Sequence, residues 1–336
     1  MSSNRTSQAG FVLVSSIWFV LVMLVLSGLF GFYASEQMSK AKRSKLRIDD
    51  QINRLATEQT LLYVLATSAS NRAGLKVNGR DGSEVKLDGT HYQSFGSVYF
   101  AIGDKQGLIG LNTNPNYHLG RLIKAFESDG LRREALLHAL YDYIDINDRA
   151  HLNGREAPAY RVAGLPLPTN DHLKSPAELH RVYGWSDWLR EHPDFKASDW
   201  LGAGWGSRLN VNTMPEDLIP LVLPVTSVEA KAIAGQRRVK PFRGYSDFSL
   251  FLNNRVSLAD NYYGFIPSDH FRIRIFSAKN HKMSTISVLF KPLSTSSPWE
   301  IDHRYQNERD FDIAEPARVV AAEYFSRELS SSEDGR

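Results

Sequence analysis

The chain has no cysteine in its 336 residues. That absence excludes disulfides, thiolate catalysis and cysteine-ligated zinc or iron–sulfur sites, and it suits an exported protein that avoids oxidative cross-linking. An excess of one charge is also missing. Lys and Arg number 40 against 37 Asp and Glu, less basic excess than a protein built mainly to grip nucleic acid usually shows. Enzyme signatures are lacking as well: there is no GxSxG, HExxH, Walker A loop or GxGxxG. Ser39-Lys40-Ala41-Lys42 matches the SxxK of penicillin-binding proteins, but the accompanying Lys-Thr-Gly is missing. The ten histidines are scattered without a paired ligand spacing, so the chain is read as not an enzyme. What is present, 42% hydrophobic and 23% charged residues, describes one large or two ordinary globular domains rather than a disordered chain.

Phe11 to Tyr33 runs without a charged group. As a helix it is about 34 Å long, enough to cross a bilayer core of about 30 Å. The competing reading is a cleaved secretory signal, which needs a shorter apolar stretch and a small-x-small site. Phe32 and Ala34 make a poor one, and a retained single-pass anchor is preferred. Lys40, Lys42, Arg43, Lys45 and Arg47 follow the span while only Arg5 precedes it. Taken alone, that bias places the C-terminal part in the cytoplasm.

Gln8-Ala9-Gly10 before Phe11 resembles the cleavage site of type IV prepilins and secretion pseudopilins. The resemblance implies cutting after Gly10 by a prepilin peptidase of the inner membrane and methylation of the new N-terminal Phe11. Most members carry a glutamate as fifth mature residue, where this chain has Ser15. A carboxylate in hydrocarbon costs several kcal/mol unless paired, so a subunit with Ser15 seeks no partner amine in a layer above it. That departure resembles the minor pseudopilins that cap a filament tip. Ser15 and Ser16 bonding back to helix carbonyls is the plainer account. Ser27 and Gly31 form a small-xxx-small pair that allows close approach of another helix.

Beyond the membrane, Ile48, Ile52, Leu55, Leu62 and Ala66 keep one apolar stripe on a helix, and no Gly or Pro occurs before Gly74. Val98, Phe100 and Ile102 alternate, as do Phe271, Ile273 and Ile275, and Ile286, Val288 and Phe290. These read as strands with one apolar face each. The expected fold is α+β: a pilin-like long N-terminal helix on a small antiparallel sheet, with a large inserted helical domain. The expected segments are a leader 1–10, a transmembrane helix 11–33, helix and first strands 34–112, the insert 113–258, closing strands 259–296, and an extension 297–336 ending in a mobile tail.

Within the insert, Asp142-Tyr143-Ile144-Asp145-Ile146-Asn147-Asp148 is followed by Asn153-Gly154-Arg155-Glu156, Tyr160, Glu178-Leu179, Val182 and Gly184. Together with Asp104 to Asn112, this series resembles the protein K family of the general (type II) secretion pathway. Tyr143 replaces that family's usual Trp. The resemblance implies a minor pseudopilin that caps a pseudopilus and supports export of folded proteins across the outer membrane. Implied partners are two other minor pseudopilins (I- and J-type), the major pseudopilin, the inner-membrane secretion platform and the prepilin peptidase. It also implies inner-membrane anchoring with the bulk in the periplasm, against the charge bias above. The basic residues can meet lipid phosphates on either face.

Two features of the insert stay open. Asp145, Asn147, Asp148 and Glu156 offer oxygen ligands for calcium, a cation the resemblance implies. They do not form an EF-hand, because Arg149 sits at a ligand place and Ala150 at the required glycine. The alternative is that they cap helices and shape a turn. Leu209 to Leu218 and Leu223 to Phe248 resemble a helix-hairpin-helix (SAM-like) element, with Thr213 read as an N-cap. DNA-binding versions use a Gly-hydrophobic-Gly hairpin for close phosphate approach. Val225 and Ser227 occupy those places, and a solvated helix end accounts for Arg237, Arg238, Lys240 and Arg243, so no nucleic-acid partner is expected. Two rival functions remain: a minor pilin of a type IV pilus, and a membrane-anchored DNA receptor using the hairpin.

Overall fold

The computed structural model describes residues 7–72, 74–76, 84–204, 206, 208–254, 262–279 and 281–309, with side chains from Val12 onward. The start of the leader, Trp205, the 258/259 segment boundary and the tail from residue 310 lie outside the described residues. Two compact units are present, Met1–Leu55 and Ala56–Arg336.

One helix, α1 (Ser7–Thr67), opens the chain. Without Gly or Pro after Gly31, nothing interrupts its hydrogen-bond ladder. It is long and apolar enough to cross a membrane, with a mean hydropathy of 2.5 in its best window. Every side chain from Val12 to Tyr33 is exposed, so that surface is made for a non-aqueous neighbour. The expected stripe packs less than its spacing suggested. Ile48, Ile52 and Leu55 stay exposed, and burial starts only at Thr57 and Glu58 and continues at Leu61, Leu62, Val64 and Leu65.

The second unit begins with short antiparallel strands β1 (Ala69–Ser70), β2 (Gly74–Lys76) and β3 (Glu84–Lys86). Then come β4 (Asp88–Gln93) and β5 (Val98–Asp104). The insert follows as β6 (Ile109–Gly110), α2 (Tyr117–Phe126), α3 (Gly130–Ile144), α4 (Ala157–Ala163), α5 (Trp185–Glu191), α6 (Ala197–Trp200), β7 (Leu201–Gly202), β8 (Leu209–Asn210), α7 (Ile219–Val222), α8 (Ser227–Val239), α9 (Tyr245–Phe251) and β9 (Tyr263–Gly264). The chain closes with β10 (His270–Ser277), β11 (Lys282–Phe290) and β12 (Trp299–Glu308). The main sheet is antiparallel in the order β12-β11-β10-β5-β4. The insert therefore leaves from one central strand and returns into its neighbour.

One face of that sheet is apolar as expected. Phe100, Ile102, Phe271, Ile273, Ile275, Ile286 and Val288 are buried with Leu61, Leu62, Val64 and Leu65 at the end of α1. The opposite face departs from the expectation of one buried face per strand. Arg272 and Arg274 are only 7% exposed, because the insert lies on them. Their cross-strand neighbours on β5 are Gly103 and Ala101, small enough to let both guanidinium groups lie over the sheet. Arg272 donates to the carbonyls of Ser198, Leu201 and Asp199 at 2.6, 3.2 and 3.2 Å, and Arg274 pairs with the Asp199 carboxylate. Buried cations need such partners, since desolvation otherwise expels them.

The extension assigned to 297–336 also needs correcting. Its first part is strand β12, paired along β11 from Phe290↔Trp299 to Lys282↔Glu308. As an edge strand it is exposed or half-buried on both faces, which removes the apolar alternation that marks inner strands.

Candidate functional site

Three places bear on function: the stem, the acidic loop after α3 and the hairpin.

On the stem, Gly10 and Phe11 lie within α1. Ser15 and Ser16 each donate a hydroxyl to the carbonyl of Val12, at 3.0 and 2.7 Å. Both hydroxyls are thus satisfied inside their own helix. Gly28 and Gly31 would meet nothing with an added Cβ, leaving a bare strip of backbone on the apolar part of α1.

The acidic loop is built by the end of α3 and the start of α4. Asp142 sits in the last turn of α3 and is fully buried. One of its oxygens, Oδ1, accepts the backbone N–H of His151 at 3.0 Å and contacts the His151 ring. Its other oxygen, Oδ2, has no hydrogen-bond partner. Gly154 lies against that oxygen so closely that a Cβ would come to 1.8 Å, so only glycine keeps this carboxylate in place. Glu156, 5% exposed, has neither oxygen partnered. Burial first, then the charges of Asp142, Asp145 and Asp148, push its carboxyl up to about 7. Ligand atoms of Asp142, Asp145 and His151 lie within 4.8 Å of one another.

This cluster overlaps the expected ligand set without matching it. Asp145, half-buried, and Glu156, buried, belong to the acidic group around Asp142. Asn147 and Asp148 are exposed and shape the loop: the Asn147 side chain accepts from Arg149 N at 2.9 Å, and Asp148 accepts from Asn170 at 3.1 Å. Asp142 and His151 were not among the expected ligands. The signal for Asp142 was its place three residues before Asp145, on the same helical face. The partnerless carboxylate oxygens of Asp142 and Glu156 are the donor chemistry that suits calcium, whereas the His151 ring nitrogen in the same group is not.

In the hairpin, α8 starts with a complete capping box. Thr226 accepts the Glu229 N–H, and the Glu229 carboxylate accepts the Thr226 N–H at 2.8 Å. Its own glutamate therefore occupies the helix N-terminus that would otherwise attract a phosphate. Thr213, read as an N-cap, is not one, since its hydroxyl goes to Asp104. Arg237 is not at a solvated end either. It is 3% exposed and donates to the carbonyls of Val211 and Met214 at 3.0 and 2.6 Å. Arg238 is exposed and pairs with Glu216 at 2.6 Å. Trp185, Trp188 and Trp200 are core residues, with Trp185 donating to the Leu136 carbonyl at 2.8 Å.

Residues 105–192 match the family model of type II secretion system protein K, first part. In three dimensions the chain is similar to a chain in the crystal structure of the GspK–GspI–GspJ complex from the type 2 secretion system of enterotoxigenic Escherichia coli. The TM-score is 0.52 and the identity 16%, covering 80% of this chain and 99% of that one. The fold is therefore the α+β, pilin-like one with a helical insert. Among curated protein sequences, none matches this chain at a significant level.

Proposed function

We propose that this chain, with a protein K signature across its insert, is a minor pseudopilin of the type II secretion system that caps the tip of the pseudopilus. The observation that carries the reading is the insert itself. It stands between two central strands of a pilin-like sheet, clamped there by Arg272 and Arg274, and residues 105–192 within it match protein K. A subunit carrying so large an insert leaves no room for another subunit stacked above it, which suits only the end of a filament. Ser15 agrees, because a tip subunit has no layer above whose terminal amine a glutamate would meet.

The chain is cleaved after Gly10, methylated on Phe11 and held in the inner membrane by residues 11–33, with the second unit in the periplasm. It assembles with I- and J-type minor pseudopilins, and the major pseudopilin polymerises beneath them. Its work is assembly rather than chemistry. Asp142, Asp145 and Glu156 hold a calcium ion when one is bound. The ion supplies positive charge to carboxylates that otherwise face one another, fixing the end of α3 against the start of α4.

The reading is tested by expressing the full chain with candidate I- and J-type partners from the same cell. A stable ternary complex, with loss of protein export when Gly10→Leu replaces the wild type, is expected. Co-purification with twitching-pilus components instead, or tight salt-dependent DNA binding, would favour a rival reading.

A further inference from the structure

Five cations, Lys40, Lys42, Arg43, Lys45 and Arg47, fall in one eight-residue window that starts seven residues after Tyr33, and all are exposed on α1. Lys40 is paired with Glu36 at 2.7 Å. Lys42, Arg43, Lys45 and Arg47 have no ion pair among the described residues, and Asp50 just beyond them pairs with Arg54 at 3.1 Å.

Their arrangement distinguishes a lipid surface from a protein partner. At about 100° per residue, Lys40, Arg43 and Arg47 fall within an arc of about 60°, and Lys42 and Lys45 within another of similar width on the far side. Ile48, Ile52 and Leu55, all exposed, occupy the gap between the two arcs. Cations on both sides of the axis suit a headgroup layer that surrounds an upright helix. A protein packed on one side would call for a single stripe.

Height grades the set. Lys40 lies about 10 Å and Arg47 about 21 Å along the axis from Tyr33, while headgroups extend about 6 Å beyond the hydrocarbon on each side. The field of an anionic surface reaches about 10 Å further at about 0.1 M salt, so the nearer cations meet headgroups and the farther ones lie in that field. Cα–Cβ bonds tilt toward a helix's N-terminus, so these side chains lean back toward the membrane, and their long stems shorten the gap further.

We propose that Lys40–Arg47 form a collar attracted to the anionic phospholipids of the leaflet from which α1 emerges, the nearer cations meeting lipid phosphates and the farther ones held by the field of the charged surface. It fixes the depth of the stem and adds a charge-dependent hold that must be released when the subunit leaves the bilayer. The inference rests on reading 11–33 as a span. It applies whichever side the helix emerges on, because it needs only anionic lipid there.

The test uses the full chain reconstituted in phosphatidylcholine vesicles containing a minority of phosphatidylglycerol, with spin-labelled versions of each lipid as probes. Phosphatidylglycerol is expected to be enriched at the protein about threefold or more at low salt, falling toward parity at high salt. The enrichment should disappear in the variant Lys42→Gln, Arg43→Gln, Lys45→Gln, Arg47→Gln. Equal preference for the two lipids in the wild type, or a preference unchanged in the variant, overturns the collar. Alkaline carbonate treatment separates the two claims. A chain that washes off the vesicles overturns the span and the collar together, whereas a retained chain without lipid preference overturns the collar alone.

Discussion

Thr213 donates its hydroxyl to Asp104 across 2.8 Å, joining residues 109 positions apart. The same buried carboxylate accepts from Asn210 at 3.0 Å, from the Ser268 hydroxyl at 2.6 Å and from two backbone N–H groups, Gln106 and Ser268, each at 3.1 Å. Asp104 is thus the knot where the insert leaves β5, folds its hairpin and returns toward β10. Asp104→Ala would orphan the Asn210, Thr213 and Ser268 donors, each costing about 1–3 kcal/mol when buried. The expected loss is about 3 kcal/mol or more in urea unfolding of the detergent-solubilised chain. Thr213→Val should cost about 1 kcal/mol. A loss for Asp104→Ala as small as that would show that the knot does not hold the insert.

His91 gives the second unit an acid-sensitive point. Burial first, then Arg274, lowers its imidazole to about 4, with Asp199 pulling the other way. The folded form therefore keeps His91 neutral while the unfolded chain takes up a proton below about 6.5. Stability should fall as pH drops from 6.5 to about 4, by on the order of 1–3 kcal/mol. His91→Gln should flatten that slope in thermal unfolding followed across this range.

Glu156 predicts the opposite slope in the metal-free chain. Its folded carboxyl titrates near 7 against an ordinary value of 4.5. The unfolded chain loses the proton first, so stability should decline as pH rises from 4.5 through 7. Calcium should reverse this by favouring the ionised form. Differential scanning calorimetry should show a Tm that rises with calcium and falls with chelator. In Asp142→Asn, Glu156→Gln that response should be lost, while in Asn147→Ala it should persist because Asn147 faces solvent.

Gly154→Ala should act like a core lesion even though it adds only one methyl group. The new Cβ would fall 1.8 Å from Asp142 Oδ2, and a fully buried carboxylate at a helix end has little room to move. Calcium titration should show affinity lowered about tenfold or more, together with a lower Tm in its absence.

Much of this was legible in the chain. The charge-free run marked the apolar part of α1, which is long enough to cross a membrane, and alternation in Phe271–Ile275 and Ile286–Phe290 placed β10 and β11, because inner strands repeat their burial every second residue. Strand β12 was not legible, since an edge strand exposed on both sides leaves no such period. Arg272 and Arg274 looked like the wet side of a strand. Only the tertiary fold, which lays the insert over them, turns them into buried clamps. The acidic loop was half legible: Asp145 and Glu156 stood out as oxygen donors, but the role of Asp142 depends on how the chain turns back at Gly154. The threonine reading missed for a similar reason, because Thr213 was drawn to a carboxylate far away in sequence while Thr226 capped the helix.

Processing of the first residues of the chain in the cell tests the pseudopilin assignment most directly. Mass spectrometry of the protein purified from native membranes should find a mature N-terminus at Phe11 carrying one methyl group. A chain still beginning at Met1, or cut anywhere other than after Gly10, would contradict the pseudopilin assignment.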